Sequence, residues 1–298
     1  MKKCFRDGDP LFTIRRLISH ASCLFEKNGV DSPQITAEIL LSHVMNLTKS
    51  RLYLSFDQEV SPEKKAAFDR LVSRRLKREP VAYIIGEKGF WTFSLEVTSD
   101  VLIPRPDTEC LVETALISIP EKKSDVDPFR VLDLGTGSGA IIVALAKERP
   151  GHQYFATDIS MKALRVAKRN GDRNQLNCKV HYICGNWFDA IMPGQNFDVI
   201  VSNPPYINTA VIATLEPEIR RYEPVLALDG NSDGLSAFRV IITAAATNLK
   251  PGGLLVMEMG DGQENDLLAM IEKNGGYAPP TFHRDLTGKI RVVLTKKI

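Results

Sequence analysis

The chain has 298 residues with 38 Lys+Arg against 36 Asp+Glu, a formal charge of +2, and is 44% apolar and 25% charged. At about 150 residues per domain this length holds one large domain or two modest ones, and the balance excludes a disordered chain, a collagen-like repeat and a disulfide scaffold. No apolar run approaches the ~18 residues of a membrane span, and the charged start, residues 1–9, is not a signal peptide, so the expected location is cytoplasmic.

Residues 1–78 read as a small helical domain. Leu11, Ile14, Leu17, Ile18, Ala21, Leu24 and Phe25 recur at helical spacing, and Gly29 offers a stop. Ser32 before Pro33 and Ser61 before Pro62 each present an N-cap followed by a first-turn proline. His20 and His43 are isolated on these helices and are read as packed or solvated. Arg70, Arg74, Arg75, Lys77 and Arg78 form a basic run. It reads either as a patch for RNA or an acidic protein, or, preferably, as the solvated face of the last helix.

A connector, 79–108, follows. Residues 81–102 alternate and are rich in aromatic and β-branched residues, which predicts a hairpin with Gly86 and Gly89 at turns. In the run Arg105-Pro106-Asp107-Thr108-Glu109, the prolines on both sides of Arg105 suggest a rigid joint, and Asp107 or Thr108 is placed to cap the next helix. A polar loop spans 118–129.

From residue 109 to 298 strand and helix alternate. Strands are predicted at 131–134, 154–159, 180–184, 197–202, 254–259 and 290–295, with helices from Gly139, from Ser160 and over 235–249. This is an α/β pattern, a doubly wound and mostly parallel sheet. Cys4, Cys23, Cys110, Cys178 and Cys184 show no metal-ligand spacing, so no metal site is expected. Cys184 is read as a packed core thiol at a strand end, with a catalytic thiol as the alternative.

Two motifs lie at the carboxyl ends of predicted strands, where such sheets bind ligands. The first is Gly135-Thr136-Gly137-Ser138-Gly139, where a strand turns through glycines into a helix. Asp158 ends the next strand, about 20 residues on, and suits both hydroxyls of a ribose. The pattern also satisfies a dinucleotide fingerprint, which keeps a dehydrogenase open. Asp133 favours S-adenosylmethionine, because a carboxylate just before the glycines suits the cofactor's ammonium group. Asn186 and Trp187 close the third strand with a polar group and a flat face, which suit an adenine or a strand-end core tryptophan equally.

The second motif is Asn203-Pro204-Pro205-Tyr206. The two prolines fix φ and remove two donors, leaving carbonyl acceptors. The Asn203 side-chain oxygen and the Pro204 carbonyl can both accept from one planar –NH₂ group, while Tyr206 lays its ring on that plane. Two such bonds aim a delocalised nitrogen lone pair at a sulfonium methyl, so positioning and electrostatics can carry the transfer without a strong base. The pattern points to methylation of a planar amino group.

With these residues the chain resembles the amino-methylating class I methyltransferases that use S-adenosylmethionine. The segments 79–86, Phe90-Trp91, 102–109, Tyr222-Glu223-Pro224, Leu226-Ala227-Leu228, Asp233-Gly234-Leu235 and Arg284-Asp285-Leu286 are similar to the peptide chain release factor glutamine methyltransferases, the PrmC or HemK family. The resemblance implies a seven-stranded methyltransferase sheet joined by a hairpin to the helical bundle, which would select the substrate. It implies methylation of the glutamine amide in the Gly-Gly-Gln motif of release factors, its protein partners. Gly135, Thr136, Gly137, Ser138 and Gly139 would hold the methionine part of the cofactor, Asp158 its ribose, and Asn186 and Trp187 its adenine. The family has Asp where Asn186 stands. Asn203, Pro204 and Tyr206 would be catalytic, Asn203 touching both cofactor and substrate, and Pro204, Pro205 and Tyr206 would complete the glutamine pocket. The likeness also makes the run 105–109 a pocket wall, a reading held equal to that of a rigid joint. A nucleobase of ribosomal RNA or DNA is the alternative target, against which a charge of only +2 argues. A cofactor-binding regulator without turnover is a third reading, opposed by the intact Asn-Pro-Pro-Tyr.

Overall fold

The computed structural model describes residues 12–121, 127–192 and 196–298. Cys4, Leu11, the charged start and residues 122–126 of the polar loop lie outside the described residues. The chain divides into two compact units, one running to Gly86 together with Pro217–Tyr222, the other comprising Glu87–Glu216 and Glu223–Ile298.

The first unit is built from helices Ile14–Lys27, Pro33–Met45, Lys49–Leu54, Pro62–Leu76 and Val81–Ile85. Ile14, Leu17, Ile18, Ala21 and Phe25 form the buried stripe of the first helix, and Leu40, Leu41, Leu52 and Phe68 complete the core around it. Ser61 caps its helix, accepting from Lys64 N at 3.4 Å. Ser32 does not: it sits at φ 48° and its side chain makes no cap bond. The short helix Lys49–Leu54 carries no periodic signal and is started by Thr48, which accepts from Arg51 N at 3.4 Å. Both His20 and His43 are exposed.

Two expectations for this region are corrected. Residues 81–85 are helical, entered from Pro80 and closed by Gly86 at φ 78°; burial of Tyr83 and Ile84 outweighs their β-propensity. The basic run is only in part the solvated face expected: Arg70 and Lys77 are exposed, while Arg74, Arg75 and Arg78 are engaged within the unit. Arg75 Nη2 and Arg78 Nη2 donate to the two oxygens of Glu218 at 2.8 and 2.9 Å, and Arg74 Nη2 donates to Glu79 at 2.6 Å. Burial alone would raise the Glu218 carboxyl, and the bonds from Arg78 and Arg75 bring it below its ordinary value. Tyr222 Oη, on the same Pro217–Tyr222 segment, donates to the Lys77 carbonyl at 2.8 Å.

The second unit opens with a hairpin, β1 (Glu87–Phe90) and β2 (Phe93–Glu96). Its turn is Trp91-Thr92, with Gly89 inside β1 and not at a turn. Trp91 holds φ 54°, a conformation that favours glycine. Two bonds hold it there: Trp91 N donates to Glu109 at 2.9 Å and Nε1 to Glu148 at 2.8 Å.

Seven strands then form one sheet: β3 (Arg130–Leu134), β4 (Gln153–Asp158), β5 (Val180–Cys184), β6 (Phe197–Ser202), β7 (Leu249–Glu258), β8 (Thr281–Arg284) and β9 (Ile290–Lys296). Their order is β5-β4-β3-β6-β7-β9-β8, parallel from β5 to β7, with β9 and β8 antiparallel at the far edge. Helices Ala140–Glu148, Met161–Arg173 and Ser236–Asn248 make the crossovers. The strand β8 completes this mixed sheet; neither it nor the helix Glu264–Asn274 before it is signalled by alternation alone. Chain order reverses between β3 and β6, so the loops following these neighbouring strands flank the switch-point crevice.

Cys184 corrects a further expectation. It is exposed and ends β5, the edge strand of the sheet; Sγ lies 3.6 Å from the Ile159 carbonyl. Among the described residues no helix is long and apolar enough to cross a membrane.

Candidate active site

The glycine loop leaves β3 and its first three residues are tied to β4. Gly135 N and Thr136 N both donate to the Thr157 carbonyl at 2.9 Å, and Gly137 N donates to Asp158 Oδ2 at 2.9 Å. Asp158 Oδ1 accepts from Ser160 N at 2.8 Å, so both carboxylate oxygens already hold backbone. Burial raises the Asp158 carboxyl, and these two N–H groups oppose the rise. Gly139 ends the loop at φ 82°, where a Cβ would stand 3.1 Å from Ala167 Cα and Cβ. Only glycine lets the following helix approach so closely.

A residue outside the sequence reading supports this loop from below. Asn170, fully buried, donates to the Ser138 carbonyl and to the Glu96 carbonyl, each at 2.9 Å, and accepts from Glu96 N at 2.7 Å. It thereby joins the glycine loop to the hairpin. A polar residue at a buried helix position (Ala163, Leu164, Val166 and Ala167 share the face) was the available signal.

Asp133 is not where the ammonium-anchoring reading puts it. It is fully buried and absent from the cavity wall. Oδ2 accepts from Thr136 Oγ1 at 2.7 Å, while Oδ1 has no hydrogen-bond partner among the described residues. Burial pushes its carboxyl up to about 7.

These elements enclose a cavity of about 340 Å³ within the second unit. Gly135, Thr136, Gly137, Ser138, Asp158, Asn186 and Trp187 line it from one side, Asn203 and Pro205 from another. The Trp187 ring lies 3.5 Å from where a Gly135 Cβ would stand, and Gly137 faces open space. Gly139, Pro204 and Tyr206 are not lining residues: Pro204 is buried, and Tyr206 Oη instead donates to Glu258 at 3.2 Å. The open face at Gly137, the flat indole at Trp187 and the Asp158 carboxylate fit S-adenosylmethionine.

Further wall residues come from the connector. Arg105 lines the cavity and donates to Glu223 at 2.6 Å; Ile103 N donates to the same carboxylate at 3.3 Å. Burial raises the Glu223 carboxyl and Arg105 opposes the rise. Thus the 105–109 run contributes Arg105 and Thr108 to the pocket wall. Neither Asp107 nor Thr108 caps helix Glu109–Ser118 through its side chain. Asp107 pairs with Arg291 at 3.1 Å. Thr108, a wall residue, accepts from Asn203 Nδ2 at 3.3 Å. The Asn203 amide nitrogen is therefore directed at Thr108, and Oδ1 is left for the cavity.

Comparison with known proteins extends this picture. Residues 16–86 match the profile described as PrmC N-terminal domain, and residues 114–218 match the methyltransferase small domain. The chain is 40% identical over 282 residues to a release factor glutamine methyltransferase of Rhodospirillum rubrum, covering 95% of this chain and 84% of that one. It is 43% identical over 265 residues to one of Geobacter sulfurreducens, covering 89% and 90%. Among solved structures, a methyltransferase from Pyrococcus furiosus is similar with a TM-score of 0.50 at 20% identity, over 76% of this chain and 96% of that chain, and supports the fold. Identity of this order over nearly the whole of both chains places the sequence: it belongs to the release factor glutamine methyltransferase family.

Proposed function

We infer that this protein methylates the side-chain amide nitrogen of the glutamine in the Gly-Gly-Gln motif of peptide chain release factors, using S-adenosylmethionine. The family assignment supports the reaction, and one observation in the site carries it. Asn203 stands at the carboxyl end of β6, across the crevice from the glycine loop, with its amide nitrogen engaged by Thr108 and its oxygen unpaired among the described residues.

When bound, S-adenosylmethionine supplies an electrophilic sulfonium methyl group. The glycine loop and Asp158 orient it, with Asn186 and Trp187 as the proposed adenine contacts. Asn203 Oδ1 and the Pro204 carbonyl are the proposed acceptors for the two N–H groups of the glutamine amide. Accepting both draws the nitrogen from planarity and frees its lone pair for in-line attack. Held there, the nitrogen would take the methyl group in line, the electron pair of the methyl–sulfur bond staying with the departing sulfur, while Asn203 Oδ1 and the Pro204 carbonyl keep their two N–H groups in place. An alkylated amide nitrogen is strongly acidic, so its proton passes to water without a strong base. Tyr206 supports the motif through Glu258, and the helical unit is the proposed selector of the intact factor.

Incubation with methyl-labelled cofactor tests the reading against three substrates: a release factor, the same factor with the motif glutamine changed to alanine, and ribosomal RNA. Label is expected in the first alone. Label in the RNA and not in the factor would overturn the assignment and revive the nucleobase alternative.

A further inference from the structure

Gln263 takes no part in the chemistry just described and is not a wall residue of the cavity. We propose that it is a positioning residue: it ties the turn 203–206 to the wall segment 229–237, so that the two acceptors for the glutamine amide face the cavity in one fixed arrangement. The proposal rests on the role assigned to Asn203 and Pro204.

Its place in the chain is the first sign. Gln263 stands at the N-cap of helix Glu264–Asn274, where Ser, Thr, Asp or Asn would accept from the first free N–H groups, yet its side chain makes no cap bond. The amide is engaged elsewhere. Oε1 accepts from Gly260 N at 2.8 Å, and Nε2 donates to the Tyr206 carbonyl at 3.2 Å and to the Gly234 carbonyl at 3.3 Å. Three loops therefore meet on one neutral group: the loop after β6, the loop after β7 and the one before helix Ser236–Asn248. The partners also fix which way the amide faces, because a backbone N–H must meet its oxygen and two carbonyls must meet its –NH₂. Among side chains of this length only glutamine brings an acceptor and two donors without a charge. Two glycines make room for it. A Cβ on Gly260 would stand 3.0 Å from Gln263 Oε1 and 3.1 Å from Tyr206 Cδ2. A Cβ on Gly234, which holds φ 75°, would stand 2.5 Å from the Tyr206 carbonyl oxygen and 3.0 Å from Gln263 Nε2.

What the amide holds matters to the site. Tyr206 is fastened at both ends, its hydroxyl to Glu258 at 3.2 Å and its carbonyl to Gln263. Tyr206 closes the turn that begins with Asn203, so this fastening sets where the turn carries Asn203 Oδ1 and the Pro204 carbonyl. The Gly234 carbonyl belongs to the segment whose Asp229, Asn231, Ser236 and Ala237 line the cavity. That segment also pairs with the chain just after Tyr206: Ile207 N donates to the Leu228 carbonyl at 3.0 Å, and Gly230 N to the Ile207 carbonyl at 2.8 Å. Gln263 closes this frame and keeps the two walls at a fixed spacing. An in-line transfer suffers steeply when its parts are misplaced by an ångström.

The test uses the full chain with a Gly-Gly-Gln release factor and methyl-labelled cofactor, reading kcat, KM, cofactor affinity and thermal melting. Gln263→Met keeps the length and loses all three bonds. It should lower kcat about 10–100-fold, with cofactor affinity within about threefold because the glycine loop and Asp158 are untouched. Gln263→Glu keeps the acceptor for Gly260 N but sets a carboxylate against two carbonyls, so it should lose at least as much. Coupling separates positioning from mere support of the fold. In an Asn203→Ala background either change should cost a further factor of about three at most, because the acceptor it positions is already gone. A residue that only supports the fold would multiply its full loss onto that of Asn203→Ala. Wild-type kcat in either folded single variant would overturn the proposal, as would full multiplication in the double variant; the glutamate arm stands even if the methionine variant fails to fold. Failure of the functional reading is seen separately, as absence of label in the factor with wild type or as wild-type turnover by Asn203→Ala. The single variants then decide on the substrate that wild type does methylate.

Discussion

Replacing Asp158 by Asn probes two jobs at once, and the structure separates them. Each carboxylate oxygen accepts a backbone N–H, Oδ2 from Gly137 at 2.9 Å and Oδ1 from Ser160 at 2.8 Å. Asparagine offers one acceptor and one donor, so one of those N–H groups must face an –NH₂ instead. A hydrogen bond to a charged group contributes about 1.5–3 kcal/mol. Losing one should lower stability by that order, which is about 3–10 °C in melting temperature for a domain of this size. The ribose acceptor is weakened in the same step, so affinity for S-adenosylmethionine should fall about 10–100-fold. Calorimetric titration of the cofactor, paired with thermal melts with and without it, reads both effects. An Asp158→Asn protein that melts like wild type and binds the cofactor within twofold would refute the reasoning. It would mean that neither oxygen matters to the loop.

Asn203→Ala removes the proposed transition-state acceptor and should lower kcat by about 10²–10³, with cofactor affinity changed only a few-fold; near-normal turnover by a folded variant would remove Asn203 from the mechanism. Gly139→Ala places a side chain at φ 82° and 3.1 Å from Ala167, so it should cost about 2 kcal/mol or more in chemical denaturation and weaken cofactor binding; an unchanged midpoint would contradict the close packing. Asp133→Asn spares the fold a buried charge. Because the wild-type carboxyl is raised to about 7 in the folded state, the destabilisation grows as pH climbs from about 4 and is complete above about 7. The variant should therefore melt higher than wild type at pH 8 and equally at pH 4, and an advantage confined to low pH would reverse the assignment.

What was legible in the sequence is what local rules control. The buried strand at β3, the glycine turn after it and Asp158 at the end of β4 each announce themselves within a few residues, as does the proline pair after β6. What was not legible depends on partners far along the chain. Thr108 meets Asn203 across 95 residues, and Tyr206 meets Glu258 across 52. Arg75 and Arg78 find Glu218 across 143 and 140. No pattern in the basic run itself says that its charges are spent on a distant acid. Residues 81–85 failed for another reason: aromatic and β-branched composition suits a strand, but five residues between Pro80 and Gly86 cannot show a helical period. Glu258 did leave a sign, as the one charged residue in the apolar run 254–259.

That sign has a physical meaning shared with Asp133. Both acids lie at or near the carboxyl ends of strands in the sheet, both are essentially inaccessible, and burial holds both near neutrality instead of in the ordinary carboxylate range. A packed core gains nothing from either, since an apolar residue of similar volume avoids the desolvation cost altogether. Their places explain why they stay. Asp133 receives the Thr136 hydroxyl and so fixes the middle of the glycine loop; Glu258 receives the Tyr206 hydroxyl and so holds the end of the Asn-Pro-Pro-Tyr motif. Each is an acceptor of fixed direction set beneath a loop that must present its remaining polar atoms to the ligands in one orientation only. A reaction that needs no strong base still needs that orientation to an ångström. The stability given up by burying two carboxylates is what the fold exchanges for it.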